Sequence, residues 1–311
     1  IPKIGTKSEF LHLFKRMEAK KSIDRSELEG DMQENEGSRR DQSDPGLRSP
    51  LEAAIAERER ATLSMVEKAL DRGDAVLAYQ PVMRADGSGV AFCEGLIRIF
   101  DETGRIIPAG DFIGAVEERE LGRRIDCAAL LAGLRALCAD PGLRLSINMS
   151  ARSVGYPQWM RILRRYLHSN PEAVERLILE ITESSVMMMP EIVRVFMDDL
   201  QARGVTFALD DFGAGYTAFR HLKQFCFDIL KIDGQFARSV HEDPDNQVLT
   251  EALISLARHF DMLVVAEAVE TRGEAEWLTQ AGIDCMQGYY FAAPSLTEPR
   301  IARERREARS A

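Results

Sequence analysis

The sequence predicts an α/β fold: a TIM-like (β/α)8 barrel with an antiparallel first strand, preceded by a helical and disordered N-terminal extension. First, a chain of 311 residues accommodates a barrel of roughly 250 residues plus an extension. Second, short β-rich runs alternate with helical runs from residue 75 onward, which is typical of a sheet covered by helices. Third, residues 83–89 are too short a connection for a parallel crossover, so the first two strands should be antiparallel.

The N-terminal extension is predicted to cover residues 1–48, as a short helix followed by a disordered linker. Phe10, Leu11, Phe14 and Met17 fall at helical spacing and indicate an amphipathic helix. This helix could pack on the body, on an upstream module or on a membrane surface. Residues 30–46 are polar and poor in aliphatic side chains, so we expect them to be disordered. The chain starts at Ile1 and not at Met, which leaves open an upstream sensory or regulatory module.

A connecting helix is predicted over residues 49–73, leading into the barrel. Ser49 supplies a hydroxyl cap, Pro50 takes the first helical position, and Glu52 follows three residues after the cap. The barrel should then occupy residues 74–297. Residues 298–311 alternate Arg and Glu and are expected to form a charged, solvated tail.

Eight β-rich runs define the predicted barrel strands. They cover residues 75–82, 90–99, 144–149, 177–181, 205–210, 227–232, 262–266 and 283–286. Between them, Pro190 opens a helix over residues 191–203 that stops at Gly204. Thr271 and Glu274 form a capping box that opens another helix, which stops at Gly282.

Composition excludes several classes of function. The formal charge of −10 argues against DNA binding, which needs stripes of Lys and Arg. The sequence contains no apolar run of the roughly 18–20 residues that a membrane span requires, so we expect no transmembrane segment in this chain. The 5 cysteines are scattered without a C-x-x-C pair, which favours a reducing compartment and predicts a cytoplasmic protein.

The most informative pattern is the polar residue near or after the end of each predicted strand. In a barrel these ends converge on one face, where active sites are built. Several carboxylates can crowd together there only with a strong counter-charge. Oxygen ligands favour Mg²⁺ or Mn²⁺, and this number of carboxylates fits two ions in one active site. The residues are Glu94, Asn148, Glu180, Asp210, Asp211, Lys231, Glu267 and Gln287.

The motifs around these residues carry a resemblance to a known family. They are Glu94-Gly95-Leu96-Ile97-Arg98, Asn148-Met149-Ser150, Glu180-Ile181-Thr182-Glu183-Ser184, Asp210-Asp211-Phe212-Gly213-Ala214-Gly215-Tyr216, Leu230-Lys231-Ile232-Asp233, Ala266-Glu267-Ala268-Val269-Glu270 and Gln287-Gly288-Tyr289. The sequence resembles the EAL domain of bacterial cyclic di-GMP phosphodiesterases over roughly residues 62–296, with Gly95 where the name-giving Ala usually stands and Ala268 where Gly is usual.

The resemblance implies a role for each matching position. The metal ligands would be Glu94, Asn148, Glu180, Asp210, Asp211 and Glu267. Catalytic roles fall to Lys231, Glu267, Gln287 and Glu94. Substrate would contact Gln80, Leu96, Arg98, Asn148, Asp233 and Pro294. The loop after Asp211 and its support would involve Glu183, Gly213, Gly215 and Glu270.

The function implied by the resemblance is hydrolysis of cyclic di-GMP to linear pGpG by a water activated by two metal ions. Such an enzyme lowers a second messenger of bacterial signalling that governs biofilm formation and motility. A homodimer formed through the barrel is also implied. The alternative is a catalytically silent receptor or signalling scaffold, although every position that such proteins usually lose is filled here.

Overall fold

A sheet closed into a barrel organises the part of the chain described by the computed structural model, which covers residues 50–213 and 225–297. The predicted extension, the loop residue Gly215 and the predicted tail lie outside these residues. The strands are β1 (Ala75–Arg84), β2 (Val90–Phe100), β3 (Ile106–Pro108), β4 (Leu145–Asn148), β5 (Leu177–Thr182), β6 (Thr206–Phe212), β7 (Ile229–Ile232), β8 (Leu263–Ala266) and β9 (Cys285–Met286).

The barrel closes through β1, which pairs with β2 on one side and with β9 on the other. Both of these pairings are antiparallel, whereas the strands from β2 through β4 to β9 pair in parallel in chain order. The predicted fold class, including the antiparallel first strand, is confirmed. The short strand β3 was not predicted; it pairs antiparallel with the end of β2, outside the closed ring.

Helices cover the outside of the barrel. They are α1 (Pro50–Arg72), α2 (Ile113–Val116), α3 (Glu120–Ala139), α4 (Pro157–Ser169), α5 (Pro171–Val174), α6 (Glu183–Met188), α7 (Pro190–Gln201), α8 (Gly234–Ala237), α9 (Pro244–His259) and α10 (Arg272–Ala281). The predicted capping box is confirmed at α10, where Thr271 and Glu274 exchange side-chain-to-backbone bonds. Gly282 ends that helix at a φ of 86°, a left-handed conformation that favours glycine.

Alternation along the strands builds the barrel interior in layers, because side chains two residues apart point to the same face. The lower layer is an apolar cluster that fills the barrel: Val82, Phe92, Ile178, Ala208, Ile229, Val265 and Cys285. The layer above is polar, and each of its residues lies two positions along the chain from one member of the apolar cluster. These residues are Gln80, Glu94, Glu180, Asp210, Lys231, Glu267 and Gln287.

The outward-facing strand residues form a second core with the helices. Leu177, Leu179 and Ile181 alternate with the interior residues of β5 and are fully buried against the helical layer. The barrel is therefore packed on both sides of its wall, which fixes the backbone of each strand. A rigid wall of this kind holds the polar layer in a defined arrangement at the carboxyl end of the barrel.

Candidate functional site

Lys231 lies at the centre of the polar layer and contacts carboxylates from four other positions in the barrel. Its Nζ lies 2.6 Å from Glu267 Oε1, 2.9 Å from Glu180 Oε2, 2.9 Å from Asp210 Oδ1 and 3.6 Å from Glu94 Oε2. The side chain of Lys231 is 1% exposed. A buried ammonium group surrounded in this way compensates the charge of the carboxylates, which could not otherwise ionise side by side.

Glu94 is held by amide groups as well as by Lys231. Asn148 Nδ2 donates to Glu94 Oε1 at 2.8 Å, and Gln287 Nε2 donates to Glu94 Oε2 at 2.6 Å. Gln287 Nε2 also donates to Gln80 Oε1 at 3.1 Å, and Gln80 Nε2 donates to the Ala292 carbonyl at 3.0 Å. This chain of bonds fixes the orientation of Glu94 from two sides.

The carboxylates of the cluster differ in pKa, because burial, mutual repulsion and hydrogen bonds act on them to different extents. Burial opposes ionisation of Glu94, but Lys231 and the bonds from Gln287 and Asn148 hold its pKa below the ordinary value. Burial and the neighbouring Glu94 raise the pKa of Glu180 well above its ordinary value. Burial raises the pKa of Glu267 to about 8 despite Lys231, with Asp210 adding to the effect. The protein therefore holds part of this cluster protonated unless further positive charge is supplied.

Lys231 shows the opposite effect. Burial alone would lower the pKa of this ammonium group, but Asp210, Glu180, Glu267 and Glu94 together raise the pKa well above its ordinary value. Lys231 is therefore protonated at neutral pH. Its chemistry in the site is electrostatic.

Asp210, Asp211 and Glu267 bring their carboxylate oxygens within 4.8 Å of one another. Asp211 is exposed and takes a φ of 54° directly after the buried Asp210, where the register of β6 against β7 shifts. Burial, together with the charge of Asp210, raises the pKa of Asp211. Adjacent carboxylates that diverge at a turn can face two neighbouring cations, one deep and one closer to solvent.

The donor set fits hard divalent cations. Among the described residues, the ammonium group of Lys231 contacts the carboxylates of Glu94, Glu180, Asp210 and Glu267. A fifth carboxylate, that of Asp211, lies beside Asp210 and Glu267. Oε1 of Glu180 is buried and receives no hydrogen bond from any described residue. Carboxylate oxygens with an amide carbonyl nearby are ligands typical of Mg²⁺ and Mn²⁺. The residues present therefore suit cations of this class.

Two cavities share walls with the cluster. The first cavity, of about 280 Å³, has Gln80, Glu94, Glu267 and Gln287 in its lining. The second cavity, of about 400 Å³, has Asn148 and Glu180 in its lining. Together they make room on two sides of the carboxylates for an extended ligand.

Four residues expected to bind substrate surround the cluster less closely. Leu96 and Arg98 follow Glu94 on the same face of β2, and both are half-buried. Arg98 Nη1 donates to the Ile97 carbonyl at 2.9 Å, and burial lowers the pKa of its guanidinium group. Asp233 uses a carboxylate oxygen to cap α8, accepting from Gln235 N at 2.8 Å. Pro294 is half-buried in the segment that precedes Ser295, whose backbone pairs with Tyr79 of β1.

Of the predicted loop residues, Glu183 and Gly213 meet directly. Glu183 is buried, and its Oε2 accepts from Gly213 N at 3.5 Å. Gly213 has a φ of 95°, and a Cβ at this position would lie 2.5 Å from the ring of Phe236, so glycine is required. Glu270 is exposed and lies in the lining of the first cavity, with its backbone N donating to Glu274.

Two residues that the sequence analysis did not single out also lie in the cavities. Asp126 of α3 is in the lining of the second cavity and accepts from Ser153 Oγ at 2.6 Å and Ser150 N at 3.1 Å. Arg238, directly after α8, is in the lining of the first cavity. The position of Asp126, directly after the buried Ile125, could have indicated from the sequence that this carboxylate is partly buried. No sequence signal distinguishes Arg238 from other surface arginines.

Comparison with known families decides the membership of this chain. The EAL domain pattern matches residues 63–294. The chain belongs to the EAL domain family. Its match covers the whole barrel, from the end of α1 to the segment after β9. None of the helices in the described part of this EAL domain is both long and apolar enough to span a membrane.

Named relatives of this EAL domain include two curated proteins. The Pseudomonas aeruginosa protein named bifunctional diguanylate cyclase/cyclic di-GMP phosphodiesterase MucR is 30% identical over 254 residues, which are 80% of this chain and 37% of that protein. The Escherichia coli protein named cyclic di-GMP phosphodiesterase PdeR is 32% identical over 244 residues, 77% of this chain and 36% of that protein. The chain therefore spans little more than a third of the length of these relatives.

A solved structure also resembles this EAL domain. The structure, described as PaMucR phosphodiesterase in complex with c-di-GMP, superposes with a TM-score of 0.69 at 30% identity. The superposition covers 76% of this chain and 97% of that chain. The likeness therefore extends over nearly all of the other protein's EAL domain.

Proposed function

We propose that this EAL domain hydrolyses cyclic di-GMP to linear pGpG with the help of two divalent cations, Mg²⁺ or Mn²⁺. The observation that carries the proposal is the cluster around Lys231, where one ammonium group contacts four carboxylates, with Asp211 as a fifth beside them, next to two cavities. The relatives named above are described as acting on or binding this nucleotide. Hydrolysis adds water across one P–O bond, which leaves a 5′-phosphate on one guanosine and a 3′-hydroxyl on the other.

The cations would be held by Glu94, Asn148, Glu180, Asp210, Asp211 and Glu267. When bound, two such ions lower the pKa of water and neutralise the charge of a phosphodiester. The chain's own residues then have defined tasks. Asn148 and Gln287 hold Glu94 in one orientation through their amide hydrogens. Lys231 offsets part of the charge of the surrounding carboxylates, and its ammonium group favours a deprotonated water beside it.

The two cavities support a substrate with two bases. A cyclic dinucleotide carries a base on each side of its phosphodiester ring. The first cavity borders Glu94 and Glu267, and the second borders Glu180 and Asn148, so a phosphate near the carboxylates would leave room for one base on each side. In the second cavity, Asp126 offers a carboxylate that could accept hydrogen bonds from a guanine.

The test is to incubate the purified protein with cyclic di-GMP and Mg²⁺ or Mn²⁺ and to separate the products by chromatography. We expect linear pGpG to accumulate, and we expect no pGpG to form when a chelator is present from the start. Glu94→Gln should lower kcat at least about 100-fold, because it removes the negative charge of a proposed ligand of the divalent cation. Glu251→Gln, at an exposed position of α9, is the matched control and should keep full activity.

The alternative of a silent receptor predicts a different result in the same experiment. The nucleotide would bind to the wild-type protein and remain intact at every metal concentration. That outcome would overturn the proposed hydrolysis while keeping cyclic di-GMP as ligand. Circular dichroism of each variant separates a loss of chemistry from a loss of fold.

A further inference from the structure

The first cavity contains a cation that the proposed chemistry does not use. Arg238 is exposed and lies in the lining of this cavity, and its side chain makes no hydrogen bond or ion pair within the part of the chain that the structure describes. By contrast, Arg258 donates to the Gly282 carbonyl at 2.6 Å, and Arg272 donates to Glu276 at 2.6 Å. Arg238 is therefore available to a ligand.

The other polar side chains of this cavity mainly accept hydrogen bonds or are already engaged. Glu94, Glu267 and Glu270 present carboxylates. The amide nitrogen of Gln80 donates to Ala292, and that of Gln287 donates to both Gln80 and Glu94. Among the described residues of this cavity, Arg238 is therefore the one cationic donor, and its side chain has no partner among them.

The remaining surface of the cavity suits a flat base. Tyr289 is 68% exposed, so its ring is free to stack. Gly288 lies beside it, where a Cβ would come within 2.0 Å of the Val269 carbonyl, so the backbone is packed as closely as glycine allows. Guanine offers two acceptors, O6 and N7, on one edge, and a guanidinium group binds such an edge with two parallel bonds. Adenine offers one acceptor and one donor on the same edge.

We propose that Arg238 binds the O6/N7 edge of one guanine of cyclic di-GMP and thereby selects guanine over adenine. The proposal rests on the proposed function and names a specificity-determining residue for it. A guanidinium group has only hydrogen-bond donors, so against adenine it would place a donor next to the N6 amino group, which is also a donor. A glutamine at the same position presents one donor and one acceptor, which matches adenine.

The experiment compares cyclic di-GMP with cyclic di-AMP on wild-type protein and on Arg238→Gln, Arg238→Lys and Arg135→Gln. Dissociation constants come from isothermal titration calorimetry, and KM and kcat come from product formation. For Arg238→Gln we expect the KM and Kd for cyclic di-GMP to rise about 5- to 150-fold, the loss of one bidentate pair. Its Kd for cyclic di-AMP should stay the same or fall.

The other variants separate charge from geometry. Arg238→Lys keeps the charge but cannot form two parallel bonds, so it should show the same direction of change as Arg238→Gln for cyclic di-GMP. Arg135→Gln, at an exposed position of α3 outside both cavities, should leave both dissociation constants unchanged.

Three results would overturn the proposal. An equal loss of affinity for both dinucleotides would show a contact to phosphate, and unchanged affinity would show no contact at all. A variant that lowers kcat alone would show a role in chemistry and not in recognition. If the wild-type protein binds cyclic di-GMP without cleaving it, the hydrolytic function fails while the comparison of dissociation constants still tests Arg238.

Discussion

The ammonium nitrogen of Lys231 lies 2.6 Å from Oε1 of Glu267, the shortest of its contacts with the carboxylate cluster. The same nitrogen lies 2.9 Å from both Glu180 and Asp210. Lys231 and bound divalent cations would therefore serve the same electrostatic need, which is to compensate carboxylates buried at the end of the barrel. If the proposed cations bind, the stability of the protein should therefore depend on both Lys231 and the metal.

The first prediction concerns Lys231→Met. Removing a buried cation from among its carboxylates should lower the free energy of unfolding by about 3–5 kcal/mol in the presence of a chelator. Mn²⁺ should then raise the Tm of the variant by more than it raises the Tm of the wild-type protein, because the metal supplies the missing charge. Thermal unfolding with EDTA and with Mn²⁺ measures both effects.

The matched control for this variant is Lys68→Met. Lys68 pairs with Glu102 at 2.9 Å, but both side chains are more than half exposed, at 58% and 66%. An exposed pair of this kind contributes roughly 0–1 kcal/mol, so the control should change little under either condition. Equal metal-induced shifts for Lys231→Met and the wild-type protein would contradict the electrostatic role assigned to Lys231.

The second prediction uses Asp211→Asn to weaken metal binding without disturbing the fold. Asp211 is exposed and has a φ of 54°, a conformation that asparagine adopts as readily as aspartate. We expect the wild-type Tm without metal, but a Kd for Mn²⁺ that is at least about 10-fold higher, because a charged ligand becomes neutral. The control is Asp86→Asn in the exposed turn after β1, and comparable Mn²⁺ affinity in both variants would argue against Asp211 as a ligand.

The position of the polar layer could be predicted from the sequence, because it follows from strand periodicity. Ile229 and Lys231 illustrate this: the first belongs to the apolar layer of β7, and the second lies on the same face one step further along. Seven of the strands carry their own version of this pair, within the strand or just beyond its end, so barrel topology alone brings their polar residues to one end. The short strand β3 has no such periodicity in its three residues, and it was missed.

The contacts within the layer could not be predicted from the sequence. The bond between Gln287 and Gln80 joins residues at opposite ends of the barrel sequence, and it depends on how the sheet closes. The position of Arg238 depends on the path of the chain after β7, and that of Asp126 depends on how α3 lies beside the loop after β4. Such placements are set by tertiary packing and not by local pattern.

The third prediction concerns pH and Asp126. Burial raises the pKa of this carboxyl group to about 7, against the bonds from Ser153 and Ser150 that lower it. The unfolded chain releases the proton near pH 4, whereas the folded protein keeps it until about pH 7. The folded state therefore binds more protons in this window, and the contribution of Asp126 to stability must fall as pH rises from about 4 to about 7.

Asp126→Asn isolates this contribution, because the amide oxygen can accept the same two hydrogen bonds and does not titrate. The variant should gain stability over the wild-type protein across that window, by up to about 4 kcal/mol, and the difference should be constant above it. Urea unfolding at a series of pH values measures the difference. A difference that is the same at pH 4 and at pH 8 would show that Asp126 does not titrate as the structure requires.

The fourth prediction concerns the backbone beside the carboxylate cluster. Ala268 follows Glu267 directly and has a φ of 52°, a left-handed conformation that costs an alanine roughly 1–2 kcal/mol. Ala268→Gly removes this strain but gives the unfolded chain about 0.5–1 kcal/mol of additional entropy. The net result should be a gain in the free energy of unfolding of up to about 1 kcal/mol, seen as a small rise in Tm.

The same chemical change in a helix should have the opposite sign, which makes the pair diagnostic. Ala128 lies in the interior of α3, where glycine costs about 1 kcal/mol relative to alanine, so Ala128→Gly should lower the Tm. If both variants lower the Tm equally, the backbone at Ala268 carries no strain. If only Ala268→Gly raises it, the chain stores strain beside Glu267, where the turn aims that carboxylate toward Lys231 and Asp210.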